Sequence, residues 1–193
     1  KHNVKRFIHA STIYVNSVDG GFYRSSKKAA EDYVEEYHKI FGMNYTVLRF
    51  GSLYGERSDN TNGLTNIINR AIVNGEISYV GSKAFVREYI HVLDAARAST
   101  DILKDKYKNQ HIILTGMKKI KVHDFLKTLA KILKISKKIK FLNEKYTGHY
   151  TISPFPYKLK VGKKFAFSSQ INFHKGLLKL VNSTKNIRKY PEE

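Results

Sequence analysis

The segment from Tyr23 to Phe41 constrains this chain more than any other, because Ala30, Tyr33, Val34, Tyr37, Ile40 and Phe41 recur along it at steps of three and four. That period marks one face of an α-helix. Gly42 follows, where a helix end favours a residue free to turn left-handed. Two short apolar runs flank the helix, Val4 to Ala10 and Tyr45 to Phe50, and both read as strands. Strands joined through a helix of this length pair in parallel by a right-handed crossover. The chain is therefore expected to be an α/β protein built on a parallel sheet.

The alternation continues downstream. A second helix is expected from Leu64 to Val73, closed by Asn74 and Gly75, and another over Leu93 to Leu103. Strands are expected at Ile77 to Val80, Val86 to Ile90 and His111 to Leu114. Beyond Gly116 the texture changes. Val122, Phe125, Leu126, Leu129 and Leu133 outline an amphipathic helix with Lys127, Lys131 and Lys134 among its other positions. Gly148 to Pro156 is turn-rich, and Phe173 to Val181 reads as a last helix.

Charge bears on the choice of partner. The formal net charge of +19 points first to anions, yet only eight of the 35 basic residues are Arg, the side chain that reads base edges by its planar fork. A solvated Lys-rich surface is the simpler reading, and nucleic acid is not required. Cysteine is absent, which removes disulfides and thiolate metal sites and agrees with a reducing cytoplasm. No apolar run approaches the roughly 20 residues needed to span a bilayer. No membrane association and a cytoplasmic location are the expectations.

The strongest chemical signal is Tyr23-Arg-Ser-Ser-Lys27 at the start of the long helix, since residues four apart share a helical face. A free phenol gives up its proton only near pH 10, and a neighbouring cation favours the phenolate a general base needs. Spacing alone is not specific. Tyr79-Val-Gly-Ser-Lys83 repeats it across a glycine-broken turn where no helix is expected.

The company these residues keep is more telling. Arg6-Phe-Ile-His-Ala-Ser-Thr-Ile-Tyr-Val-Asn-Ser17 precedes Tyr23-x-x-x-Lys27; Leu48-Arg-Phe-Gly-Ser-Leu-Tyr-Gly55 and Val86-Arg-Glu-Tyr-Ile-His-Val-Leu-Asp-Ala-Ala96 follow. In that order the four motifs resemble the extended short-chain dehydrogenase/reductases, specifically the NAD-dependent epimerase/dehydratase family. The resemblance implies the C-terminal half of a Rossmann-type parallel sheet with a small α+β substrate-binding lobe. Residues 1–53 and 82–115 would belong to the NAD-binding domain, and 54–81 and 116–193 to the lobe. It further implies hydride exchange between NAD and a carbon of a nucleotide sugar. Tyr23 would be the acid/base on that sugar hydroxyl, Lys27 would hold the nicotinamide ribose and favour the phenolate, and Thr12 would bond the same oxygen. Ser11 and Phe50 join Tyr23 and Lys27 at the cofactor, while Ser52 and Arg87 join Thr12 at the substrate, Arg87 on the diphosphate; Tyr79, in the strand before Arg87, is a candidate for the nucleotide pocket with core or edge packing as its simpler reading. A homodimer of the complete protein is implied as well. His91 reads as a packed strand histidine, and Asp94 as the cap of the helix after it.

Departures from the family pattern refine this picture. Asn16 and Ser52 stand where the family usually has Tyr and Asn, and Gly20-Gly21 replace a longer loop. Dehydratases tend to follow the catalytic Thr with Asp and Glu, but Ile13 and Tyr14 occupy those places, so epimerisation is favoured over 4,6-dehydration. None of the 12 glycines forms the Gly-x-x-Gly-x-x-Gly turn that holds a dinucleotide pyrophosphate. The expectation is a chain lacking about 100 residues of cofactor-binding front end, at roughly 30 or more per strand-helix-strand unit. Two other functions compete with catalysis. One is a non-catalytic domain of the same fold that binds nucleotides or partners, and the other a nucleic-acid binder acting through Lys127, Lys131 and Lys134.

Overall fold

The computed structural model describes residues 4–17, 19–136, 139–142 and 162–189. In chain order these form β1 (Phe7–Thr12), α1 (Gly21–Phe41), β2 (Tyr45–Phe50), β3 (Ser52–Tyr54), α2 (Gly63–Asn74) and β4 (Ser78–Val80). There follow β5 (Val86–Arg87), β6 (Tyr89–His91), α3 (Val92–Asp101), β7 (Gln110–Leu114) and β8 (Ile120–Lys121). The last described elements are α4 (Val122–Leu133), β9 (Lys140–Leu142), β10 (Lys163–Lys164) and α5 (Phe173–Lys189). The turn-rich stretch Gly148 to Pro156 lies outside the described residues.

The principal sheet is parallel, in the order β1-β2-β7-β10. Its second strand is buried from Tyr45 to Arg49, as befits a strand with neighbours on both sides. The first strand starts later than its apolar run, because pairing begins where Phe7 N donates to Asn44 O at 2.8 Å. It extends to Thr12, which stands opposite Phe50. Helix α1 crosses between β1 and β2, packs on both, and ends at Gly42 with φ 66° and its N–H on the His38 carbonyl.

Smaller pairings stand apart from the principal sheet: β3 with β6 and β4 with β9 in parallel, and β5 with β8 antiparallel. The expected single strand from Val86 to Ile90 is thus two, since its halves pair with different partners around the buried Glu88. The cap of α3 also differs from expectation. His91 accepts from Leu93 N at 3.3 Å, while Asp94 is buried in the first turn and accepts from Arg97 and from Ile171 N. Residues 163–164, grouped by sequence with the lobe, lie on the principal sheet beside β7.

Two larger apolar cores stand out among the described residues. One joins Leu48, Ile90, Ile102, Ile112, Leu114 and Phe165 against the sheet. The other joins Ile68, Phe125, Leu126, Leu129, Leu177 and Leu180 where α2, α4 and α5 meet. The chain crosses from sheet to lobe after Leu114, and at that crossing a β-carbon on Gly116 would stand 2.0 Å from the Tyr89 carbonyl oxygen. Backbone cannot yield as a flexible side chain does. Gly116→Ala should therefore cost about 2–4 kcal/mol in urea denaturation, and unchanged stability would contradict the close approach.

Candidate active site

Parallel pairing brings the C-terminal ends of β1, β2 and β7 together, with Thr12 opposite Phe50 and Phe50 opposite Leu114. In open α/β sheets the crevice outside these ends is where ligands bind. Here Tyr23, in the first turn of α1, stands at the crevice and is 53% exposed. Lys27 follows one turn later. Its ammonium donates to the Ala10 carbonyl at 2.8 Å and lies 6.0 Å from the centre of the Tyr23 ring. Thr12 is buried behind them, its hydroxyl oxygen accepting from Tyr14 N at 3.3 Å.

Beneath these groups sits a buried ion pair. Glu31, one further turn along α1, is fully buried and accepts from Arg49 Nε at 3.0 Å and from its Nη2 at 2.6 Å. Ser11 donates its hydroxyl to the same carboxylate at 2.5 Å. His111 on β7 lies 3.7 Å from Glu31 and 2.9 Å from Glu35. Its pKa is lowered, first by burial and then by the Arg49 cation. His91 likewise has its pKa lowered by burial and packs against the Tyr54 ring.

A cleft of about 590 Å³ opens beside Tyr23, and Ser52, Tyr79 and Arg87 line it with Tyr23. Arg87 is only 4% exposed and donates to the Val86 carbonyl at 3.1 Å and to the Tyr79 phenol at 3.3 Å. Its ring neighbour is Phe85, 5.6 Å away. A buried charge has to be met by hydrogen bonds in place of water, and these two contacts meet part of that need. Asn60, Asn62, Asn66, Arg70 and Ser78 also line the cleft, and sequence reading missed them. The signal was present for Asn62, which caps α2 by accepting from Leu64 N and Thr65 N, and for Asn66 and Arg70, four apart on one face of that helix.

Of the residues expected at the cofactor, Tyr23 lines the cleft, and Lys27 stands one helical turn behind it with its ammonium on the Ala10 carbonyl. Ser11 is placed otherwise, its hydroxyl committed to Glu31. Phe50 packs with the sheet core.

The model of the NAD dependent epimerase/dehydratase family matches residues 1–115. A Methanocaldococcus jannaschii protein provisionally named UDP-glucose 4-epimerase is 23% identical over 167 residues, covering 85% of this chain and 53% of that protein. The crystal structure of the Thermotoga maritima UDP-glucose 4-epimerase with UDP-glucose superposes with a TM-score of 0.73 at 23% identity, over 96% of this chain and 65% of that one. The Bacillus cereus UDP-glucuronic acid 4-epimerase in complex with UDP-glucuronic acid and NAD gives 0.77 at 20% identity, over 96% and 63%. The chain thus spans about half the length of the curated relative and less than two thirds of the solved ones.

The buried pair yields a test of what holds the site. Glu31→Ala or Arg49→Ala should each lower stability by about 3–5 kcal/mol, because either leaves an uncompensated buried charge. The double change Glu31→Leu with Arg49→Met should recover most of that loss in urea denaturation. Additive losses in the double variant would contradict the pairing.

Proposed function

From the premise that this chain belongs to the NAD dependent epimerase/dehydratase family, we propose that it carries the substrate half of a nucleotide-sugar epimerase. The observation that carries this reading is the cleft that places Tyr23 and the buried Arg87 on one wall system. A diphosphate meeting the Arg87 fork gains charge-assisted hydrogen bonds in a site shielded from water. The sugar beyond it then reaches Tyr23. As the phenolate, Tyr23 takes the proton of a sugar hydroxyl as hydride leaves the same carbon, and as the phenol it later returns that proton, while the Thr12 hydroxyl, whose oxygen already accepts from Tyr14 N, keeps its own proton to donate to the same sugar oxygen. Lys27 holds positive charge beside the phenol. NAD, when bound, supplies the hydride acceptor and donor for the carbon. Epimerisation is favoured over 4,6-dehydration because Ile13 and Tyr14 line the cleft, and an aliphatic side chain at Ile13 can neither give nor take a proton.

Pairing of two copies through α1 belongs to this reading. Phe22, Tyr33, Tyr37 and Ile40 are exposed along one stripe of the helix, interrupted by the small exposed Ser25, Ser26 and Ala29. Antiparallel apposition about Glu31 sets Tyr33 over Ala29, Tyr37 over Ser25 and Phe22 beside Ile40. Sedimentation should give twice the chain mass at micromolar concentration, and Tyr33→Asp should return a monomer. A wild-type monomer would remove this part.

Calorimetric titration tests the substrate reading. Arg87→Ala should weaken UDP-glucose by about 10- to 100-fold, the value of a hydrogen bond to a charged group. In a protein that also carries a dinucleotide-binding part, Tyr23→Phe should cut turnover by about 10²-fold or more while leaving UDP-glucose affinity in place. Full turnover in that variant would refute the acid/base role.

A further inference from the structure

Tyr14 lies in the short turn that follows β1, and its ring lines the same cleft as Tyr23. The two rings meet edge to face, with centroids 6.5 Å apart and planes at 78°. Several independent contacts fix Tyr14 there. Its N–H donates to the Thr12 hydroxyl at 3.3 Å, and its carbonyl accepts from Ser17 N at 2.8 Å. Arg24 of α1 donates to the Ser17 carbonyl at 2.8 Å, which ties the turn to the helix that carries Tyr23. The adjoining Ile13 is buried against Ile113 of β7. Behind the ring is Gly20, at φ 98°, where a β-carbon would come within 3.1 Å of Tyr14 Cδ1. Gly20 therefore has a physical use: it lets the Tyr14 ring approach the loop backbone more closely than a β-carbon there would allow.

We infer that Tyr14 is a specificity-determining residue, an aromatic platform that meets the C–H face of the pyranose and sets its approach to Tyr23. This rests on the nucleotide-sugar reading given above. An aromatic ring offers a large rigid apolar surface at little entropic cost, and a pyranose presents axial C–H groups of matching area. Because Tyr14 and Tyr23 are mutually perpendicular, a sugar lying on the first ring presents its edge hydroxyls to the second. The nucleotide and diphosphate, by contrast, lie toward Arg87 and owe nothing to Tyr14. The platform thus acts on the sugar alone, and the hydroxyl of Tyr14 is not needed for it.

The test compares two probes on the whole chain, UDP-glucose and UDP, by calorimetry. Tyr14→Ala should weaken UDP-glucose about tenfold, as the loss of one aromatic contact allows, and leave UDP within about twofold. Tyr14→Phe should match the wild type for both. Circular dichroism and thermal melting establish that each variant is folded, and Gly20→Ala, which crowds the ring from behind, supplies a second variant expected to lose UDP-glucose selectively. Equal losses for the two probes, or no loss for either, overturn the platform. If the wild type binds neither probe, the nucleotide-sugar reading itself fails and the platform with it.

Discussion

The Glu31–Arg49 ion pair is the interaction on which the site depends. It joins α1 to β2, and through the Ser11 hydroxyl it reaches β1 as well. Each anchor is a near neighbour of a candidate site residue: Ser11 precedes Thr12, Glu31 lies one turn beyond Lys27, and Arg49 precedes Phe50. Burying two charges is expensive, and the geometry meets the cost by giving the carboxylate a two-point guanidinium and a hydroxyl. What is gained is register. A helix that could slide or roll on an apolar sheet face is fixed against it, and the first turn of α1 is held at the crevice with Tyr23 on it.

The other half of the site is fixed differently. Arg87 sits on a two-residue strand whose direction is set by pairing with Ile120 and Lys121, and its guanidinium is braced by the phenol of Tyr79 from β4. Packing secures that frame. Tyr54, Tyr89 and Phe173 form a ring cluster that seats α5 against β3 and β6. Burial, with the nearby Asp94 and Glu56 carboxylates, raises the Tyr54 pKa, so this phenol stays neutral as a structural group. The charged pair holds one wall of the cleft and an aromatic cluster holds the other.

These two modes of fixation explain what was legible in the sequence. The helix α1 and strand β2 were readable because their partners lie in a repeating geometry, 3.6 residues per turn for one and continuous burial for the other. Tyr23, Ser52 and Arg87 were readable through motif order, and the cleft brings the three together with Tyr79, which no motif carries and which also packs in the core. Helices α2, α4 and α5 and strand β4 were readable in the same way, whereas the short pairings were not, because strands of two or three residues such as β3, β8 and β9 carry no period and exist only through distant pairing. The same holds for Ser11. Nothing in its neighbours along the chain tells whether a hydroxyl faces a ligand or a carboxylate 20 residues away. His91 is the packed strand histidine expected, but it also takes the α3 cap expected of Asp94, for a similar reason, since the partner that claims Asp94, Ile171 N, is 77 residues distant.

The account as a whole claims that one cleft receives a nucleotide sugar with its diphosphate at Arg87 and its pyranose between Tyr14 and Tyr23. The most direct measurement is a crystal structure of this chain with UDP-glucose bound. The account predicts diphosphate oxygens within hydrogen-bond reach of the Arg87 guanidinium and a sugar hydroxyl facing the Tyr23 phenol. A ligand seated elsewhere, or one lying in the cleft with its sugar turned away from Tyr23, would contradict it.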